Sequence, residues 1–365
     1  MVAGAGVVGL AHAWQAARRG LRVHVVERDH RAVGASIRNF GHICVTGQEG
    51  RALSYATAGR PVWLELGRRA GFGVAEAGTV VVARAADELA VLEELADLRS
   101  GQVELLSRRG VAGRLAIDHD GVVGGAFLPL DLRVEQRRAV AALARWLEQR
   151  PEVSLAWGTS LTGVEAGGVG TTRGPVATSR VVVAVNHDVD RLFPELAAAA
   201  GLARCRLRML QVANPTGATI DPAVLTGTSL LRYPAFANRA AAPAIRSRLA
   251  EAGSPLLAEA VNLMFTQLPG GDLVIGDTHH DAATHDPVLD ERLDRLLLDE
   301  MSALLGAGPL EVRARWTGSY AHGPGEFLVE EVGPGARVVS VTSGIGMTTA
   351  FGLADEVIGQ LLSAG

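Results

Sequence analysis

Near its start the chain reads Gly4-Ala5-Gly6-Val7-Val8-Gly9, a Gly-x-Gly-x-x-Gly spacing with a specific physical use. The first glycine permits a tight turn after a strand, the second lets backbone approach a pyrophosphate, and the third lets the following helix pack closely on the strand. Free N–H groups at the helix start then face the phosphate charge. Glu27 ends the next strand, where a carboxylate would accept hydrogen bonds from a ribose diol. Gly4, Gly6, Val7, Val8, Gly9, Glu27 and the adjoining Arg28 are therefore expected to bind a dinucleotide. A second glycine cluster, Gly344-Ile345-Gly346-Met347-Thr348, also opens a helix and offers the same free donors near the C-terminus.

These residues need strands and helices to hold them. Apolar Val7, Val8, Leu10, Ala11, Ala13, Trp14 and Ala17 suit a helix packed on a sheet, Gly20 suits its end, and Leu21 to Glu27 reads as a buried parallel strand. The first strand is short, since only Met1, Val2 and Ala3 precede the glycines where about five or six residues are usual. A true start upstream of Met1 is an expectation that follows. Thr79 to Ala83 reads as a strand, Ala86 to Leu98 and Arg138 to Leu147 as helices, and Val153 to Val185 as strand-rich, ending in the buried run Val181 to Asn186. From Cys205 to about Ile275, strands separated by Gly and Pro suit a second, largely antiparallel sheet. A helix is expected over Pro287 to Leu305, with Asp286 as N-cap and Gly306 as stop, and another over Thr348 to Leu362 after the strand Arg337 to Val341.

Composition narrows the classes further. A length of 365 residues with 48% hydrophobic content suits two cores, since domains usually run to roughly 100–200 residues. No apolar run approaches the roughly 20 residues that span a bilayer, and no charged N-terminal region leads into an apolar signal segment. A cytoplasmic protein is expected. Cys44 and Cys205 are far apart and lack metal or redox-pair spacing. A net charge of -4 gives no global attraction to nucleic acid or anionic membrane. The chain contains no lysine, which excludes Schiff-base chemistry on a protein amine.

The segment Gly34-Ala35-Ser36-Ile37-Arg38-Asn39-Phe40-Gly41-His42 places small residues where backbone can run beside a flavin and its phosphates. With the two glycine clusters, it resembles the D-amino-acid oxidase superfamily, which includes glycine and sarcosine oxidases. The resemblance spans nearly the whole chain and is strongest at its ends. It implies FAD, held by the first set together with Ala35, Ser36, Asn39, Phe40, Gly41, His42, Gly344, Ile345, Gly346, Met347 and Thr348, and noncovalent attachment is expected because neither cysteine lies near the C-terminal motif. In the superfamily the helix start at the C-terminal motif faces the pyrimidine end of the flavin ring, where donors and the helix dipole stabilise negative charge. Ser36 to Gly41 with Thr46-Gly47-Gln48, Leu231 to Pro234, Gly276 to His279 and Gly346 to Gly352 also resemble a bacterial subfamily proposed to oxidise aminophosphonates.

Two departures weigh against an ordinary amino-acid substrate. Relatives similar to glycine oxidase grip the carboxylate with an arginine after a Trp-x-Gly pattern, whereas Trp316-Thr317-Gly318-Ser319-Tyr320 puts tyrosine there. Their second arginine near the C-terminal motif has no counterpart in Ser343 to Met347. Asn186-His187 also replaces a usual glycine after the strand. Arg232 is then the expected anion partner, with Tyr233 and Tyr320 adding donors and His279 and Tyr320 serving as catalytic candidates. His279 and His280 could orient substrate and tune the amine's protonation, or simply occupy a loop. Metal is not expected from them with Asp281 and His285, because adjacent histidines usually point apart and FAD needs none.

The expected fold is α/β: a Rossmann-like FAD-binding domain of the glutathione-reductase type, interleaved with an antiparallel-sheet substrate domain. The FAD portion would comprise 1–75, 133–203 and 312–365, and the substrate portion 76–132 and 204–311. The expected reaction is hydride transfer from a small primary or secondary amine to flavin N5, then hydrolysis of the imine to an aldehyde. An amino-acid or sarcosine-type enzyme is the alternative; a flavin-dependent tRNA-base-modifying relative fits the charge and the 4% aromatic content less well. Dioxygen as electron acceptor, and the oligomeric state, stay open.

Overall fold

Strand Val2–Ala3, helix Val7–Arg18 and strand Val23–Glu27 form the βαβ unit in the computed structural model, which describes residues 1–363. Residues 364–365, at the end of the segment 312–365, lie outside the described residues. The two-residue first strand works because it is central: Val2 lies between Val25 and Val182, and Ala3 between Val26 and Val183, in parallel registers on both sides. The six-stranded sheet runs Phe327–Gly333, Ala336–Val341, Val181–Val183, Val2–Ala3, Val23–Glu27, Val153–Trp157. All neighbours are parallel except the first pair, a hairpin. Such strands are buried on both faces, which explains their uninterrupted valines.

Helix Val7–Arg18, helix Gly50–Ala70 and the C-terminal helix Gly346–Ser363 pack together on this sheet. Phe351 sits edge-to-face with both Trp14 and Trp63, at 5.7 and 5.1 Å between ring centres. Gly352 faces the backbone of Tyr55, where a Cβ would come within 2.4 Å. The chain's two ends are thereby drawn together, although more than three hundred residues of sequence separate them.

The second sheet has nine strands and is mostly antiparallel. Next to one edge, Ala203–Val212 pairs with Leu273–Gly276 and, along its full length, with the edge strand Val312–His322. The boundary expected at 312 thus falls at the start of a strand hydrogen-bonded into this second sheet. The pairing sets Cys205 opposite Tyr320 and Leu207 opposite Gly318. Strand Ala223–Leu225 is an exception to the antiparallel pattern, running parallel to Thr79–Ala83. Helix Ala242–Glu251 lies within the stretch expected to contain only strands.

Two boundaries differ from expectation, each for a local reason. The long amphipathic helix is Glu291–Leu305, not Pro287 to Leu305, because Asp290 rather than Asp286 caps it by accepting from the Arg292 amide at 2.8 Å. Leu289 consequently lies outside the helix and is exposed, whereas Leu293, Leu297, Met301 and Leu304 are buried. The run Val181 to Asn186 stops as a strand at Val183, and Asn186 takes a left-handed φ of 56° at the start of a short 3-10 turn. Among the described residues, no helix is long and apolar enough to cross a membrane.

Candidate active site

A cavity of about 370 Å³ opens at the carboxyl ends of the parallel strands, touching Ala3, Glu27, Ala184 and Val341, and continues to the inner side of the second sheet. This is where open parallel sheets bind ligands, because the strand ends and helix starts leave donors free there.

At the first end the three glycines divide their work. Gly4 has φ +105°, and a Cβ on it would meet the Ala184 carbonyl oxygen at 2.3 Å. Gly9 brings the helix against the turn, since its Cβ would lie 1.8 Å from the Gly4 oxygen. Gly6 faces the cavity, with only the Ser36 hydroxyl near, at 3.0 Å from its missing Cβ. Glu27 holds both carboxylate oxygens in place, accepting from Ala5 N at 2.7 Å and Asp29 N at 3.1 Å. Arg28 borders the cavity and pairs with Asp188.

The loop after Asp29 is braced from within. Ser36 Oγ accepts from Val7 N at 2.9 Å, while Asn39 donates to the Ala35 and Ser36 carbonyls and accepts from Gly41 N at 2.8 Å. Ala35, Ser36, Asn39, Phe40 and His42 line the cavity. Gly9 and Gly41 do not; Gly41 has φ +68° and its Cβ would fall 1.9 Å from the Val134 oxygen, so both glycines serve close backbone packing. His42 Nε2 lies 2.8 Å from Thr79 Oγ1 and 3.3 Å from the buried Asp131. His42, Cys44 and Asp131 offer potential ligand atoms within 4.8 Å of one another, a grouping no sequence spacing revealed. Asp131 is already engaged by Thr46 N at 2.8 Å and Thr79 Oγ1 at 2.7 Å.

At the other end, Gly344 takes φ +77° and touches the substrate-side residues directly: its Cβ would lie 3.0 Å from Arg232 Nη2 and 3.1 Å from the Tyr320 ring. Ile345, Gly346, Met347 and Thr348 complete this wall at the start of the C-terminal helix. Trp63 Nε1 donates to the Met347 carbonyl at 2.9 Å, and Cys44 N to Thr348 Oγ1 at 3.1 Å, fixing that helix start from two sides.

Arg232, Tyr233, His279 and Tyr320 converge beside this turn. The Arg232 guanidinium donates to the Ser343 carbonyl at 2.6 Å, to Tyr320 OH at 3.3 Å and to His279 Nε2 at 3.4 Å. His279 Nδ1 donates to the Ala260 carbonyl at 3.1 Å, so its Nε2 carries the lone pair. Burial, reinforced by Arg232, pushes the His279 pKa down to about 3. Neutral His279 thus turns its lone pair to the guanidinium. Burial likewise raises the Tyr320 and Tyr233 hydroxyls, which makes them donors rather than bases. The other histidines of that stretch disperse, His280 to Glu259 at 3.2 Å and His285 to the Arg204 carbonyl at 2.7 Å, while Asp281 meets His322 at 2.7 Å. Asp277 and Asn262 also line the cavity, and residue patterns had not singled them out as chemistry.

The family model described as FAD dependent oxidoreductase matches residues 1–359. None of the curated proteins matches the chain. Among solved structures it is similar to glycine oxidase from Bacillus cereus ATCC 14579, with TM-score 0.80 and 17% identity over 100% of this chain and 94% of that one. It is similar to L-proline dehydrogenase from P. horikoshii, with TM-score 0.79 and 17% identity over 99% and 92%. It is also similar to FAD-bound L-alpha-glycerophosphate oxidase from Mycoplasma pneumoniae, with TM-score 0.75 and 18% identity over 99% and 94%. The cavity fits such a cofactor: a carboxylate held ready at Glu27, an open approach at Gly6, and a helix start at each end.

Proposed function

This chain belongs to the family of FAD-dependent oxidoreductases, and from that premise we propose that it oxidises a small amine bearing an anionic group. The best candidates are 2-aminoethylphosphonate and its N-methyl or hydroxy relatives. The carrying observation is Arg232, a guanidinium that turns into the cavity and, among the described residues, has no carboxylate within 4.0 Å. Buried charges are rarely left without a counter-charge, so an anion belongs there. The fork of an arginine suits a phosphonate, and Tyr320 and Tyr233 supply donors at its edge. In this reading residues 1–75, 133–203 and 312–365 carry the cofactor, and 76–132 with 204–311 carry the substrate.

Bound FAD supplies the hydride acceptor, and an imine formed from the amine hydrolyses to an aldehyde. The protein's part is orientation: Arg232 anchors the anion, His279 and Ser343 hold Arg232, and Gly344 allows this cluster to stand against the flavin-side turn. The cofactor end has its own test. Glu27→Arg places a cation where a ribose needs an acceptor, and should weaken FAD retention by at least about tenfold, in line with losing a charged hydrogen-bond partner. The flavin-to-protein absorbance ratio after dialysis measures this; an unchanged ratio would remove Glu27 from the site.

A carboxylate would also pair with Arg232, so substrate choice needs direct comparison. Steady-state turnover should favour 2-aminoethylphosphonate or a close relative over glycine, sarcosine and D-alanine. A clear preference for sarcosine overturns the phosphonate assignment.

A further inference from the structure

We propose that Asp277 is a catalytic residue: its carboxylate receives the ammonium group of the substrate and takes its proton. The phosphonate half of the picture rests on the function proposed above. The proton step needs only an amine.

Asp277 follows strand Leu273–Gly276 and is 4% exposed, with its remaining surface on the cavity that Arg232 and Tyr320 share. Its position is tightly set. The backbones of Asp277 and Asn262 exchange hydrogen bonds at 2.9 and 2.8 Å, and Asp277 Oδ1 accepts from Asn262 Nδ2 at 3.1 Å. Ser229 Oγ donates to Asn262 Oδ1 at 2.7 Å, bracing the amide from its other side. Oδ2 receives no hydrogen bond among the described residues; His279 Nε2, a lone pair, is 3.7 Å away. One cavity therefore holds a guanidinium and a carboxylate that are not ion-paired with each other. Nature seldom leaves opposite buried charges apart, because each carries a desolvation cost that its partner offsets. A zwitterion bridging them, its anion on Arg232 and its ammonium on Asp277, resolves both.

The chemistry requires the same group. A carbon beside an ammonium cannot release hydride, because the nitrogen has no lone pair to form the new C=N bond. Transfer of one proton from nitrogen to Asp277 Oδ2 frees that pair. Bound FAD would take up the C–H electron pair as hydride while the C=N bond forms, and Asp277 keeps the proton until product departs and water takes it. Burial raises the Asp277 pKa to about 7 against the opposing pull of Arg232. That suits a base operating near neutrality. Of the groups facing it, Arg232 stays charged, His279 stays neutral, and burial keeps Tyr233 and Tyr320 protonated. Asp277 is left as the member of this set that changes charge near neutral pH.

The test uses the flavin-loaded enzyme with whichever amine it turns over best. Wild-type kcat/KM should rise with pH through about 7 and then level, since the carboxylate must be ionised to accept the proton. In the isosteric Asp277→Asn this limb should vanish, kcat/KM near neutrality should fall on the order of 100-fold, and the rate should climb instead toward the pKa of the amine itself, roughly 10 for a primary amine. Binding provides a readout apart from turnover: ethylphosphonate, followed by its perturbation of the flavin spectrum, should bind the variant as tightly as wild type or more tightly, while 2-aminoethylphosphonate should lose affinity. A wild-type profile without the acid limb, a limb that persists in Asp277→Asn, or equal loss of both ligands overturns the proposal. A sarcosine preference carrying the same limb would sink the phosphonate assignment and leave Asp277 as the base.

Discussion

Gly9→Ala is expected to purify with little or no flavin and with a thermal midpoint well below wild type. The missing Cβ would sit 1.8 Å from the Gly4 carbonyl oxygen and 2.8 Å from its carbon, and both are backbone atoms. The first turn cannot retreat either, because Gly4 already stands against Ala184, where a Cβ would meet oxygen at 2.3 Å. Helix Val7–Arg18 would have to lift off the central strand, exposing the packing of Leu10, Ala13 and Trp14. Forced overpacking costs about 1–3 kcal/mol at sites that can adjust, and this one is boxed in by backbone, so a loss of about 3 kcal/mol or more is expected. Gly6→Ala separates packing from binding. Its Cβ would meet a hydroxyl at 3.0 Å that can rotate away, so the fold should keep its stability within about 1 kcal/mol. Its methyl nevertheless projects toward the approach of a pyrophosphate, and flavin affinity should drop. Thermal denaturation and flavin content, measured on both variants, should split this way. Equal behaviour of the two would mean that the glycines do not have different jobs.

The features visible in the sequence were those with local signatures. The fingerprint turn, the helices Ala86–Leu98 and Gly346–Ser363, and the glycine stop at Gly306 are each decided by residues within a few positions of one another. The error at the start of helix Glu291–Leu305 was of the same local kind: Asp286-Pro287 and Asp290 both have capping chemistry, and competition between them is decided by geometry. The substrate end is different. Arg232 meets Ser343 across 111 residues and Tyr320 across 88, a convergence that exists only once Val312–His322 has paired with Ala203–Val212. Resemblance supplied Arg232 and Tyr320; residue pattern alone would not have joined them. Asp277 lies in the resembling stretch Gly276 to His279 but gave no signal of its own as a base, since one acid at a strand end is ordinary, and its meaning comes from Asn262 and Arg232, which approach from other segments. The Asp131 brace beneath His42 and Thr79 was hidden for the same reason.

Arg232→Ala should lower kcat/KM on 2-aminoethylphosphonate by about 2–3 kcal/mol, or roughly 30- to 150-fold. The guanidinium brings positive charge to this end of the cavity, and truncation removes the charged donor beside the Tyr320 hydroxyl. Arg232→Lys should fall between, because an ammonium keeps the charge but cannot donate in parallel through a planar fork. Ethylamine, which has no anion to anchor, should lose much less in either variant. The truncation also reaches Asp277, whose pKa is pulled downward by Arg232. Without that cation, ionising the buried carboxylate becomes harder and its pKa rises, so the acid limb of kcat/KM should move to higher pH in Arg232→Ala and stay near its wild-type position in Arg232→Lys. Loss of the bond to the Ser343 carbonyl could disturb the flavin-side turn, and flavin content distinguishes that from loss of substrate binding. Unchanged kinetics on the phosphonate with full flavin would show that Arg232 does not hold the anion. An equal loss on ethylamine would show that it acts on the turn instead.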